Sequence, residues 1–336
     1  MKCVLSVCLA LLASAAPAVA NVTIYSPGAN AKVVSPFWLS AAASPCSSQP
    51  IAAVGYSFDD STNTSIVYNS SLSATINAAV GTHVLHFKSW GNQGASCVSS
   101  ITVNVVPPPT SAIPSYAVKV AGIQTLGNWL AVSDVATGAG LSQGLMGIVG
   151  SPSLTGYARE FSAIYTNSSG ERFYVPFGVD TESQNFFYDA WVNLANPSTG
   201  IANVEMDMNQ VMPNGQTVIY GFQCDGYSGT WDYTVNTGTP SNPVDTWRHS
   251  YAECNPREWS TNAWHHIQIS YSRDANGNVC YKSVWLDNVE QDLYIIVPSA
   301  FSLGWAPTLL TNFQIDGIGA SGTAKVYLDN LTIYRW

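Results

Sequence analysis

Apolar and polar residues exchange places one by one along most of this chain, in short runs broken by Gly, Pro, Asn, Asp and Ser. A period of two sends alternate side chains to opposite faces of an extended strand. Between His83 and Trp90 the pattern is plain. Leu85 and Phe87 share one face, His86 and Lys88 the other, and Gly91-Asn92-Gln93-Gly94 closes the run as a turn. Beyond residue 20, no apolar stripe keeps helical spacing over the ~10 residues a helix needs. The chain therefore predicts as all-β.

In the first part, strands are expected over 21–26, 36–43, 51–59, 65–69, 82–90 and 99–106, a spacing that suits a sandwich. Pro107, Pro108, Pro109 and Pro114 then break the pattern. Consecutive prolines cannot continue a strand ladder and favour an extended spacer. They divide a domain over 21–106 from a larger one over 115–336, with 107–114 as linker. In the larger part, turns at 167–170 and 196–200 are expected to join strands over 158–165 and 171–177, and over 185–194 and 201–210. Pro213-Asn214-Gly215, the turn at 226–229 and Asp274-Ala275-Asn276-Gly277 mark further hairpins, and 325–336 a closing strand. Some twelve strands without helices point to two curved sheets packed as a jelly roll.

Composition narrows the setting. Residues 1–20 have the form of a secretory signal, with Lys2 ahead of apolar and small residues and Ala18-Val19-Ala20 as a cleavage site. The mature chain is thus expected outside the cell or in a periplasm. No later stretch approaches the ~20 apolar residues that span a bilayer, so no membrane insertion is expected. Removing Lys2 takes the formal net charge from −9 to −10. That balance argues against nucleic acid and anionic membranes, which bind through basic patches, and mildly disfavours a strongly anionic polysaccharide. Charged residues make up only 10%, beside 11 Trp and 17 Tyr. Rings with a polar tip suit surfaces where an apolar face meets water.

Of the seven cysteines, Cys3 and Cys8 belong to the signal segment. The domain division pairs Cys46 with Cys97, and polar, turn-rich surroundings favour Cys224 with Cys254, leaving Cys280 as a buried free thiol. No spacing has the form of a metal site.

The run Glu205-Met206-Asp207-Met208-Asn209-Gln210 carries the candidate chemistry. On a strand, Glu205, Asp207 and Asn209 project one way, and Met206 and Met208 the other. This is the arrangement of a polar cleft floor above an apolar core. Gln223 and Asp225 share a strand face that could line the same cleft. Trp231 and Tyr233 alternate with Asp232, where packing in the core competes with sugar stacking.

Those residues join Trp264-His265-His266-Ile267-Gln268-Ile269-Ser270-Tyr271, then Asn276-Gly277, Val284-Trp285-Leu286-Asp287-Asn288 and Tyr327-Leu328-Asp329-Asn330-Leu331. Over 115–336 the set resembles the concanavalin A-like lectin/glucanase superfamily, including family 16 glycoside hydrolases; the first domain resembles bacterial immunoglobulin-like modules. In retaining glucanases of that kind a strand carries Glu-x-Asp-x-x-Glu, or a form one residue shorter. The resemblance places Glu205 on the nucleophile, Asp207 on the auxiliary acid and Gln210 on the acid/base. Retaining hydrolysis needs two carboxyl groups about 5–5.5 Å apart. An amide cannot deliver the proton, and losing general acid catalysis costs ~10²–10⁴-fold.

The leading expectation is a monomeric saccharide-binding protein whose contacts are Glu205, Asp207, Asn209, Gln210, Gln223, Asp225 and Trp231. A hydrolase using Glu205 and Asp207, with an acid from Glu253, Asp225 or Asp232, is the alternative. A polysaccharide lyase built on Arg248, His249 and Tyr251 is the third, disfavoured because Glu205 and Asp207 would repel a uronate. No cofactor is expected; a structural calcium of the superfamily's type would draw on Asp316 or Asp329.

Overall fold

The computed structural model describes residues 22–134, 140–196 and 200–336. The expected signal segment, Asn21 and part of the 196–200 turn lie outside them. Among the described residues, regular structure consists of β-strands and three short 3₁₀ turns, as the alternating pattern predicts. No helix there is long and apolar enough to cross a membrane.

The chain divides into two compact units; the larger takes up the chain next to the prolines and also includes the short segment 32–37. Of the described residues, one unit takes 22–31 and 38–105, and the other takes 32–37 and those from 106 to 336. In the first, Val22–Ser26, Phe37–Ala43 and Ser71–Ile76 form a three-stranded sheet, and Ile51–Phe58 pairs with Ser65–Val67 and Gly81–Gly91, which pairs with Ser96–Val106. Leu39, Ala41, Val54, Leu85, Phe87 and Val103 are buried there. Cys46 and Cys97 are bonded.

The second unit is a β-sandwich. Its front sheet runs in the order Leu130–Asp134, Gly170–Gly178, Leu309–Gly317, Ile201–Val211, Phe222–Asp225, Thr230–Asn236 and Asp245–Glu253. Its back sheet runs Ser142–Val149, Ala158–Thr166, Ser321–Arg335, Asn185–Leu194, Trp264–Arg273, Asn278–Leu286 and Val289–Pro298. Lys32–Val34 adds to the edge of the last of these. Val34 packs with Phe187 and Trp285, which explains why this short segment belongs with the larger unit. Between the sheets, Phe313 stacks on Phe161 at 5.3 Å and Tyr220 on Tyr271 at 5.0 Å. Trp231 stacks on Phe222 at 5.1 Å in the same core.

Three of the expected hairpins are present, at 213–215, 226–229 and 274–277. The expected hairpins at 167–170 and 196–200 are not. Ala158–Thr166 and Asn185–Leu194 lie in the back sheet, whereas Gly170–Gly178 and Ile201–Val211 lie in the front. The strands on either side of each expected turn thus belong to different sheets. Asp287 and Asn288 both have positive φ and form the tight turn between Asn278–Leu286 and Val289–Pro298. Cys224 and Cys254 are bonded, and Cys280 is free but half-buried rather than buried.

Candidate functional site

Ile201–Val211 is central in the front sheet, and its pattern decides what the site contains. Val204, Met206 and Met208 belong to the core cluster. Glu205, Asp207 and Asn209 occupy the opposite face. The strand pairs without interruption from Asn203 to Gln210 with Leu309–Gly317, placing Glu205 beside Gln314, Asp207 beside Asn312 and Asn203 beside Asp316. Across the sheet, one rung reads Val132, Arg172, Gln314, Glu205, Gln223, Asp232 and His249. From Arg172 to His249 it crosses five strand spacings, roughly 24 Å. The next rung contains Tyr174, Asn312 and Asp207. At this end of the face a cleft of about 320 Å³ is lined by Val132, Arg172, Tyr174, Trp305, Leu310 and Asn312.

Three acids on this face, Glu205, Asp207 and Asp316, are held above the ordinary carboxylate range. Burial, then the charge of Asp207 and a hydrogen bond with it, push Glu205 well above the usual carboxylate range. Asp207 is pushed up to about 6, mainly by burial, while the bond from Glu205, the amide of Phe222 and the charge of Arg172 act in the opposite direction. Glu205 therefore donates to Asp207, which also accepts from Phe222 N at 2.9 Å. Asp316 is pushed up to about 7, chiefly by burial. It accepts from Gln314 Nε2 at 3.0 Å and Asn203 Nδ2 at 3.4 Å. Asn209 is buried, and its Oδ1 has no hydrogen-bond partner.

Gln210 is not part of the cleft. Even pairing turns it to the core side with the methionines, where it is fully buried. Its Nε2 donates to the carbonyls of Asp180 and Ser183, and its Oε1 accepts from Arg273 Nε at 2.6 Å and Tyr220 OH at 3.3 Å. Without a bulge, the longer glucanase spacing has no route to the cleft here; the residue that reaches that face is Asn209. Trp231 is likewise a core residue rather than a stacking platform.

Gln223 and Asp225 are on the cleft side of their strand, and Asp225 caps its turn by accepting from Tyr227 N and Ser228 N. Asp232 accepts from Thr230 Oγ1 at 2.7 Å and His249 Nδ1 at 2.8 Å. Ligand-type atoms of Asp225, Asp232 and His249 lie within 4.8 Å of one another, a grouping not visible in their spacing. Each carboxylate oxygen of Asp225 and Asp232 also accepts a hydrogen bond from the protein. Asp329 is similarly engaged, accepting from Ser153 Oγ, Thr155 Oγ1 and Gln124 Nε2 as well as from backbone amides, which leaves it no free edge for calcium.

Of the other acids considered, Glu253 lines a separate cavity with Trp259 and Leu286. Asp232 stands two strands from Glu205, roughly 10 Å, beyond retaining distance. Arg248 and His249 are neighbours on a strand and face opposite ways. Tyr251 OH donates to the carbonyls of Asp292 and Leu293. The trio does not converge.

Arg172, Tyr174, Trp305, Asn312 and Gln314 were not among the expected contacts. The alternation of Asn312, Gln314 and Asp316 with Phe313 and Ile315 is the same signal as that around Glu205, and would have found this second strand.

No protein-family model matches the sequence, and no curated protein matches it. Among solved structures, the chain is similar at 12% identity and a TM-score of 0.33 to one described as the structural basis for promiscuous specificity in carbohydrate-binding modules of the β-sandwich superfamily. That likeness covers 93% of this chain and 96% of the other. The cellulose induced protein Cip1 shares 12% identity over 60% of this chain and 96% of its own, at a TM-score of 0.34. A structure of botulinum neurotoxin type C, described by its interaction with two ganglioside molecules, shares 10% over 64% and 47%, at 0.32. Values this low carry no argument about ligand, which leaves the side chains of the cleft to decide it.

Proposed function

We propose that this is a secreted saccharide-binding protein whose front-sheet face is a glucanase-like cleft of the concanavalin A-like type, preceded by an immunoglobulin-like spacer. The observation that carries the reading is the continuity of the Tyr174, Trp305, Arg172 and Asn312 cleft with the polar rungs through Glu205 and Asp207. Aromatic rings offer apolar faces for sugar C–H surfaces. Amide and carboxyl groups offer both donors and acceptors for hydroxyls. A rung of this length suits an oligosaccharide rather than a single ring. The two disulfides fit an oxidising compartment.

The test is titration of the full chain with a panel of neutral and acidic oligosaccharides. Tyr174→Ala and Trp305→Ala are each expected to weaken binding about tenfold or more, and Glu205→Gln to weaken it less, with no reducing ends released. Undiminished binding in both aromatic variants would remove the cleft as the site.

One observation favours hydrolysis as a second reading. Asp316 lies diagonally across the ladder from Glu205, where residues are about 7–8 Å apart, a spacing from which two carboxyl groups could reach the separation of inverting enzymes. Its raised pKa would keep a proton available, and Glu205 would serve as the base only after passing its own proton to Asp207. Reducing ends that vanish in both Glu205→Gln and Asp316→Asn would establish that chemistry.

A further inference from the structure

We infer that the cleft selects acidic saccharides, the Arg172 guanidinium pairing with the carboxylate of a uronate unit held beside Tyr174 and Trp305. The inference deepens the proposed saccharide site and rests on it.

Arg172 is half-buried in the cleft wall, and among the described residues no hydrogen bond or ion pair engages its guanidinium. Other shielded arginines of this unit are committed. Arg159 donates to the carbonyls of Gln124 and Leu126, Arg273 to Gln210 and to the carbonyl of Thr181, and Arg335 to Asp180. A guanidinium is a planar fork of donors that matches a carboxylate edge to edge. Tyr174 lies one ring-bearing position along the same strand, and Asn312 faces it from the neighbouring strand. These supply the surroundings that a sugar ring attached to that carboxylate requires.

The acids nearby are the apparent obstacle. The groups facing Arg172 are Asp134 on one side and Asn312, Gln314 and Asp316 on the other, with Glu205 and Asp207 beyond them. Asp134 accepts from Gln314 Nε2 at 2.8 Å. Burial and the neighbouring Asp207 hold Glu205 well above the usual carboxylate range, and burial holds Asp316 at about 7. The rung beside Arg172 therefore presents the Gln314 amide and, beyond it, a carboxyl group that resists ionisation. As pH falls from about 7 to about 5, Asp316 and Asp207 take up protons, whereas a uronate, with an ordinary carboxyl pKa near ~3.5, stays ionised. Acidic ligands should bind more tightly across that interval, and neutral ones should not.

The experiment is calorimetric titration of the full chain with oligomers of glucuronate, galacturonate and mannuronate, each beside its carboxyl-reduced counterpart. At least one acidic oligomer is expected to bind roughly tenfold or more tightly than its neutral partner. Arg172→Gln should erase that preference, bringing each acidic oligomer down to the affinity the same variant shows for its neutral partner, and Arg172→Lys should keep part of it. Equal binding of every acidic and neutral pair, or a preference that survives Arg172→Gln, would overturn the inference and leave the saccharide site standing. If neither set binds, and a panel of neutral glucans also fails, the proposed function itself falls.

Discussion

Asp316 is the side chain whose chemistry this fold alters most legibly. Its carboxyl group is buried against Asn203 and Gln314, with Asp134 and Asp225 contributing negative charge. The folded state raises its pKa from 3.8 to about 7, so it binds a proton more tightly than the unfolded chain. The stabilisation is complete below about pH 4 and is lost as pH rises through about 7. Glu205 and Asp207 act in the same direction. The melting temperature of the wild type should therefore fall between about pH 4 and about pH 7, and Asp316→Asn should flatten that slope. A variant with an unchanged slope would mean that the carboxyl group ionises as freely in the fold as outside it.

At the scale of the strand, Ile201–Val211 separates two residues that the motif treats alike. Gln210→Glu completes the glucanase pattern in sequence, yet it should yield no hydrolase, because the new carboxyl group would face Arg273 inside the core. Gln210→Ala should cost about 2–3 kcal/mol by leaving Arg273 and Tyr220 without a shared acceptor, read from chemical denaturation, and leave glycan affinity intact. Asn209→Glu is the change that adds a carboxyl group to the cleft face. The alternation that separates cleft from core was legible, because parity is a local property. The hairpins at 213–215 and 274–277 were legible for the same reason. The turns at 167–170 and 196–200 were not, since their Asn, Ser and Gly residues serve a reversal within one sheet as well as a passage to the other. Arg172 escaped because register between distant strands is set by packing, not by neighbours in sequence, and Trp305 because it lies outside any strand, where no alternation marks it.

For the whole molecule, the boundary between units has a measurable consequence. Prolines mark a natural cut near residue 106, but Lys32–Val34 is a strand of the larger unit, and Val34 shares a cluster with Phe187 and Trp285. A chain beginning at residue 106 should melt below the full-length protein's larger unit, with the loss concentrated in hydrogen exchange along Val289–Pro298. The Cys224–Cys254 bridge closes a sequence separation of 30 residues. Replacing both cysteines by serine should remove about 3–4 kcal/mol, mainly by freeing the unfolded chain, measured by denaturant midpoint. An equal midpoint would place the bridge among contacts that hold without it.

Even pairing from Asn203 to Gln210 also governs how this site can diversify. Inserting or deleting one residue ahead of Glu205 would exchange the two faces, sending Met206 and Met208 to water and three polar groups into the interior. The strand behaves like a message with a fixed reading frame. Its length cannot drift, but the letters at 203, 205, 207 and 209 can be rewritten one at a time while Val204, Met206 and Met208 stay as they are. New ligand preferences can therefore arise here by point substitution, without first dismantling the support beneath them.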